Sequence, residues 1–398
     1  MKFTADQLFF QERENMKESV QSIRELLKQA KTMPHGPTKI SMLKKAIDLS
    51  DSFQQTRLGF RSRRYYLDAS RFGGSPSLRF AVFSWCLGQC DRDPDQFDEN
   101  DLLWEYKWMI SEMINNAEIP QRQLFDAIAD MKKRYERNGL SLKPVYKLQR
   151  IEATDRGDFA AAKEYNRLWQ SASKDGMNDP DYGDRNDFVS YLVQQKLYEK
   201  ALKTALPILD KSIPMDDNQV VPHSTLGHIV VPTFLLKKYD DARRYHQWGI
   251  RLIRNQLDYL EESGKHLMYT ALSKNYAKGL QIIEWNAILY SESINVGSRF
   301  VFSLGAVLLF RLMVRDNIEK VSLRVSKENS WFRPDGEYSV PDLLAVFEED
   351  CKSTADAFDQ RNGSKRYMEQ YQDLEELASL AIDQPISYER TEGDPSED

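Results

Sequence analysis

The sequence predicts an all-α fold, an α-solenoid of about seven to eight stacked helix pairs. Three observations predict it. Apolar residues recur three and four apart through most of the chain, and the runs break at glycine, proline and Asn-Asp clusters. A short polar turn, an aromatic side chain, and a small residue three positions later recur as a unit. All but one of the recurrences fall within the ~34–45 residue spacing of two-helix repeats, and the other exceeds it by one residue.

Residues 8–30 read as one long amphipathic helix ahead of a break at Pro34, His35, Gly36 and Pro37, so 1–38 is expected to cap the first pair. The repeat array is expected over 39–315. Its clearest unit runs from Tyr146 to Trp169: a helical run, a polar break at Gly157 and Asp158, then Phe159 opening a second run with Ala162 near its start. Such a unit cannot bury its apolar face alone and implies neighbours of the same kind. Phe159 and Ala162 are matched by Tyr198 and Ala201, by Tyr239 and Ala242, and by Tyr276 with Gly279 in the small slot. Leu78 and Ala81 fit upstream, and Ala127 and Ala46 less closely. From Ala46 to Gly279 the successive intervals are 35, 46, 35, 39, 41 and 37 residues. The pattern has a physical cause. The aromatic after the turn plugs the gap between the two helices, and the small residue lets them approach where a larger one would overpack the contact. Pro207 and Pro232 fall inside helical patterns and are expected to kink them.

These features resemble the tetratricopeptide-repeat family. Ala81, Trp85 and Gly88 stand at the spacings of that family's second helix, and Tyr65, Ala69 and Phe72 at those of its first. Other units match less fully, with Asn166 and His246 where the family has an aromatic. Residues 83–87 followed by 103–108 are also similar to bacterial tetratricopeptide proteins of comparable length. The likeness spans roughly 40–315 and implies a helical scaffold without naming a function.

The C-terminal region departs from the repeat. Val321–Val325 alternates like a strand, and Trp331–Gly336 reads as a turn with exposed aromatics. A β-hairpin or irregular segment is therefore expected near 321–338, with a closing helix from Val340 to about Phe358. Together these make 316–381 a C-terminal cap. Residues 382–398 are acidic, poor in apolar side chains, and expected to be a disordered tail.

Composition sets the class. A net charge of −6 and pI near 5.6 argue against general affinity for nucleic acid or an anionic membrane. Three cysteines are too few for a disulfide framework in a chain of this length. The N-terminus turns polar at once, unlike a signal peptide. The most apolar run, Phe300–Phe310, falls short of the ~20 residues of a membrane helix. A cytoplasmic protein is expected.

No motif with a built-in mechanism is present: no His-Glu-x-x-His, no Gly-Lys-Ser/Thr phosphate loop, no Gly-x-Ser-x-Gly elbow. Cys86 and Cys90 share a helix face but lack nearby histidines, and read as buried thiols. His223 and His228 are five apart, on different helix faces, and His223 after Pro222 reads as a helix start. The acidic loop Asn178–Asp184 lacks the glycine and glutamate positions of a calcium loop and is expected to supply a helix cap. No catalytic residues, metal or cofactor are expected. An enzyme site, if any, would lie in 321–338, which has acids and aromatics but neither His nor Cys.

The basic residues offer more. Arg57, Arg61 and Arg64 lie on one helix face with Arg63, Arg71 and Arg79 nearby, and Lys143, Lys147 and Arg150 repeat the spacing. In tetratricopeptide arrays the first helices line a concave groove. The resemblance thus implies that Arg63, Tyr66, Ser70, Lys147, Thr154, Asn186 and Ser190 face such a groove and clamp a protein or peptide partner through an acidic segment. The competing expectation is a helix face whose charges pair with neighbouring acids such as Asp68 and Glu152. A regulator that changes shape on binding a small ligand or signalling peptide is the second function the repeat class suggests.

Overall fold

The computed structural model describes residues 5–71, 74–215, 221–254, 256, 259–293 and 295–386, with side chains from 17 onward and Asp101 excepted. Among them lie 17 helices and one two-stranded hairpin. The first are α1 (Ala5–Thr32), α2 (Pro37–Ser52), α3 (Thr56–Ala69), α4 (Pro76–Arg92), α5 (Asn100–Ile114) and α6 (Gln121–Arg137). Next come α7 (Lys143–Asp155), α8 (Phe159–Ser171), α9 (Asp181–Gln194), α10 (Tyr198–Leu209), α11 (His223–Leu235) and α12 (Tyr239–Ile253). Then follow α13 (Leu260–Leu272), α14 (Tyr276–Glu292), α15 (Val296–Arg315), β1 (Lys320–Ser322), β2 (Glu337–Ser339), α16 (Val340–Asn362) and α17 (Arg366–Ser379). Consecutive helices pack on one another from α1 to α4, from α7 to α8 and from α9 to α17.

The seven small positions fall on the even-numbered helices from α2 to α14. Ala46, Ala162, Ala201, Ala242 and Gly279 are buried, as close helix contact requires. Ala81 and Ala127 are not: Ala81 is exposed and Ala127 half-buried. The buried stripe of α4 runs instead through Val82, Phe83 and Cys86, and that of α6 through Leu124, Ile128 and Met131. Trp85 is half-buried and Gly88 exposed. The fullest match to the family pattern therefore sits one position off the core-facing stripe; Phe72 lies outside the described residues.

The connecting turns are one device reused. Lys196, Lys237 and Lys274 adopt φ of 56°, 61° and 53°, and Gly157 adopts 83°. In each turn the next residue's N–H reaches back over the helix end: Asp158 to the Ala153 carbonyl (2.8 Å), Leu197 to Leu192 (2.9 Å), Lys238 to Thr233 (3.1 Å) and Asn275 to Thr270 (2.8 Å). This is the Schellman closure, which satisfies carbonyls orphaned at a helix end.

Two compact units emerge, Met1–Glu112 with Ala129–Leu140 and Met113–Ile128 with Ser141–Asp398. In the first, the Tyr135 hydroxyl donates to the buried Leu103 carbonyl (2.9 Å), and the Arg134 guanidinium is held by Asp91, Glu99 and Asp130 at 2.7–2.8 Å. In the second, odd-numbered helices lie side by side at the repeat interval. The Thr225 hydroxyl donates to Asn186 Oδ1 (2.7 Å), 39 residues away, and Phe234 meets Tyr269 edge-on (6.0 Å).

The centre of the second unit is α15. It is long and apolar enough by composition to cross a membrane, beyond the eleven-residue core of its sequence, yet 72% of its apolar window is buried inside the protein. α13, α16 and α17 cover it.

The C-terminal region extends further than its sequence suggests. The hairpin pairs Val321 with Tyr338, in the expected place. α16 continues to Asn362 and stops at Gly363 in the left-handed conformation (φ 61°). A further helix, α17, follows and folds back along the turns of the unit. Arg366 Nη2 donates to Gln194 Oε1 (2.9 Å), and Lys196 Nζ lies 3.6 Å from Asp373 Oδ2. The expected tail starts no earlier than Ser387, because Ile382 N–H donates to the Leu272 carbonyl (2.9 Å) and Ile386 N–H to Asn275 Oδ1 (2.9 Å). Residues 387–398 lie outside the described residues. Arg361 of α16 donates through Nη1 to the carbonyls of Met113, Ile114 and Asn116 at 2.7–3.1 Å, capping the end of α5, and through Nη2 to Asp155 (3.2 Å).

Candidate functional site

The expected groove residues are largely internal. In the first unit, Arg63 is buried: Nη2 meets Asp51 Oδ2 at 2.7 Å, and the guanidinium lies 3.9 Å from the Trp85 ring centroid. Tyr66 and Ser70 are each 1% exposed, and Ser70 Oγ donates to its own helix at the Tyr66 carbonyl (2.6 Å). In the second unit, Lys147 is buried against Asp179, Asp184 and Asp187. Asn186 is buried on Thr225, Thr154 is half-buried and donates to the Arg150 carbonyl (2.8 Å), and Ser190 is half-buried. Five of the seven are thus shielded within their own unit. Arg63 and Lys147 are tied to internal acids, so neither stands as the free cation expected of a groove, whereas Arg57 and Arg61 remain exposed.

The stripe has a job that spacing alone did not reveal. Lys143 Nζ donates to the Trp169 carbonyl (2.7 Å) and lies 4.3 Å from its ring; Arg150, 1% exposed, lies 4.7 Å from the same ring. Lys107 stands over Trp104, Arg71 over Trp108 and Arg254 over Trp285. With Arg63 on Trp85, five of the seven tryptophans carry an internal cation. Cations on indole faces gain from the ring quadrupole while their stems cover apolar surface.

The acidic loop 178–184 likewise serves Lys147. Its expected cap is not made, because α9 begins behind Pro180 without a side-chain cap, while Asp179 and Asp184 turn to the ammonium. Burial, outweighed by the three carboxylates, leaves the Lys147 ammonium harder to deprotonate than usual. Cys86 and Cys90 are free and buried, and burial pushes their thiols up to about 12 and about 11. His223 begins α11 as expected. His246 and His266 are buried with ring centroids 5.2 Å apart, and among the described residues neither ring nitrogen of His266 has a hydrogen-bond partner.

A cleft between the hairpin connection and α14, α15 and α16 brings together what the sequence scattered. Its volume is about 800 Å³. Asp350 forms its floor, accepting from the Tyr290 hydroxyl (2.6 Å), Ser303 Oγ (2.9 Å) and Arg299 Nη2 (2.5 Å). Burial, and then the Asp350 charge, pushes the Tyr290 phenol well above its usual range. Trp331 and Phe332 form one wall. Trp331 meets Tyr338 edge-on (5.8 Å) and tilts on Phe347 (5.9 Å), while Phe332 is 38% exposed. Arg333 pairs with Asp342 (3.0 Å). Glu328 and Glu349 stand exposed at the rim without an ion pair among the described residues. Sequence reasoning marked the exposed aromatic turn but missed Tyr290, Arg299 and Asp350, which lie on three helices and looked like ordinary amphipathic positions.

Comparison with protein-family models, with curated proteins and with solved structures finds no match. The tetratricopeptide resemblance therefore rests on the residues named above.

Proposed function

We propose that this chain is a non-catalytic cytoplasmic scaffold, an α-solenoid of tetratricopeptide-like helix pairs, that holds a protein or peptide partner. The observation that carries this is the hairpin cleft: the exposed Phe332 and half-buried Trp331 stand beside Asp350, Arg299 and Arg333, which their neighbours already fix. Asp350 spends its oxygens on three donors, which suits a rigid recognition surface better than proton transfer. Recognition through an acidic segment rested on free bases at Arg63 and Lys147; with both paired internally, the cleft is the better-supported surface. A peptide-display selection on the full chain tests this. Binders that fail on Trp331→Ala/Phe332→Ala, with helicity and melting temperature retained, support it; binders indifferent to that change refute it.

A second reading, a regulator that changes shape with its ligand, is favoured by the segment 366–386 lying across the turns of the second unit. Small-angle scattering with and without a selected peptide tests it: an unchanged radius of gyration sinks it.

A further inference from the structure

We infer that the hairpin cleft takes a lysine- or arginine-bearing segment of a partner protein. This rests on the cleft being the recognition surface and specifies the chemistry of what enters it.

Three observations converge. Tryptophan in this protein is a cation seat, since five of seven rings carry an internal lysine or arginine. Trp331 carries none among the described residues and faces the cleft. The charge there is unbalanced in the complementary sense. Asp342 answers Arg333 and Asp350 answers Arg299, leaving Glu328 and Glu349 at the rim. An entering anion would meet two surplus carboxylates and two arginines already paired; an entering cation would find carboxylates and an indole together. Desolvated cation–π contact and charge-assisted hydrogen bonding reinforce each other in such a setting. The half-exposed Phe332 supplies apolar surface for the methylene stem of a long basic side chain. A volume of about 800 Å³ exceeds what a single ammonium needs and suits a short stretch of chain.

The test uses the full-length protein labelled with 5-fluorotryptophan, its Trp331 resonance assigned by loss in Trp331→Phe. The probes are capped heptapeptides of alternating glycine and lysine, with glutamate and glutamine counterparts, and free spermidine. The lysine peptide should shift the Trp331 resonance saturably and weaken with added salt. Glu328→Gln/Glu349→Gln should lower its affinity roughly tenfold or more, the scale of charged hydrogen bonds. These two side chains are exposed, and the salt titration gives the same answer without any substitution. An equal or larger shift from the glutamate or glutamine peptide would overturn the cationic assignment while leaving the cleft as the recognition surface. Spermidine acting as well as the lysine peptide would overturn the protein segment in favour of a free polyamine. No shift from any probe would overturn both the assignment and the cleft.

Discussion

Gly264 of α13 and Gly305 of α15 meet backbone to backbone. A Cβ on Gly305 would stand 2.5 Å from the Gly264 carbonyl oxygen, and one on Gly264 2.6 Å from the Phe302 Cα. The two helices at the heart of the second unit therefore touch main chain to main chain, and backbone cannot yield as a side-chain tip can. Gly264→Ala and Gly305→Ala should each cost about 1–3 kcal/mol or more by overpacking. Gly88→Ala, in an exposed helical position with nothing within 4 Å, should gain about 0.5–1 kcal/mol. Urea unfolding of the three variants checks the opposite signs.

The internal role of the basic stripe makes its own prediction. Lys147→Met leaves Asp179, Asp184 and Asp187 crowded without their cation, and should destabilise by about 3 kcal/mol, as breaking a buried ion pair does. Arg63→Ala should also lower the melting temperature, losing Asp51 and the Trp85 face. Calorimetry showing unchanged melting would return both residues to a free surface.

The turns predict gains. Lys196, Lys237 and Lys274 hold a left-handed conformation that costs an L-residue about 1–2 kcal/mol. Glycine at Lys237 should raise stability by roughly 0.5–1 kcal/mol, part of the relief being offset by unfolded-chain entropy, whereas Lys196→Gly and Lys274→Gly also lose ion pairs with Asp373 and Asp316 and should gain less. Gly157→Ala should do the reverse, since a Cβ there would press on the Arg366 side chain at 3.2 Å as well as straining the backbone. Thermal melts of the four variants decide it.

Acidity should act through the buried histidines. Burial, and then the Lys265 charge, pulls His266 down to about 3, and burial with the His266 and Lys278 charges lowers His246 well below its usual value. Both are neutral in the fold, whereas the unfolded chain protonates them near 6.5. Their contribution is present above about 6.5 and is lost as pH falls toward the folded-state values. Asp155 runs the other way. Burial raises it to about 6 against the pull of Tyr367 and Arg361, so its contribution is complete below about 3.9 and lost as pH rises through about 6. The stability advantage of His266→Leu over wild type should therefore widen between pH 7.5 and pH 5. A constant difference in urea midpoint would contradict this.

Much of the architecture was legible because it depends on local periodicity: helix pairs, their interval, the hairpin near 321–338 and the buried cysteines. Other features depend on partners far along the chain. The spacing of Lys143, Lys147 and Arg150 shows that they share a face; it cannot show that the face meets aspartates 32 to 40 residues downstream. In α4 the pattern at Ala81 and Trp85 was real, but the neighbouring helix covers the stripe one residue over, through Val82 and Cys86. The helix α17 has an apolar face of Tyr367, Met368, Tyr371, Leu374, Leu377 and Ala378 that sequence reasoning did not pick out, and its polar ties to distant turns could not be read from spacing. The cleft joins side chains from α14, α15, α16 and the hairpin connection, a convergence that appears only in three dimensions.

Hydrogen–deuterium exchange on the full chain, with and without a peptide selected on it, tests the central claim most directly. The account predicts new protection at residues 326–333 and 346–353, around Trp331 and Asp350, with 56–69 and 143–155 unchanged. Protection confined to 56–69 or 143–155 would place recognition back on the basic helices and contradict it.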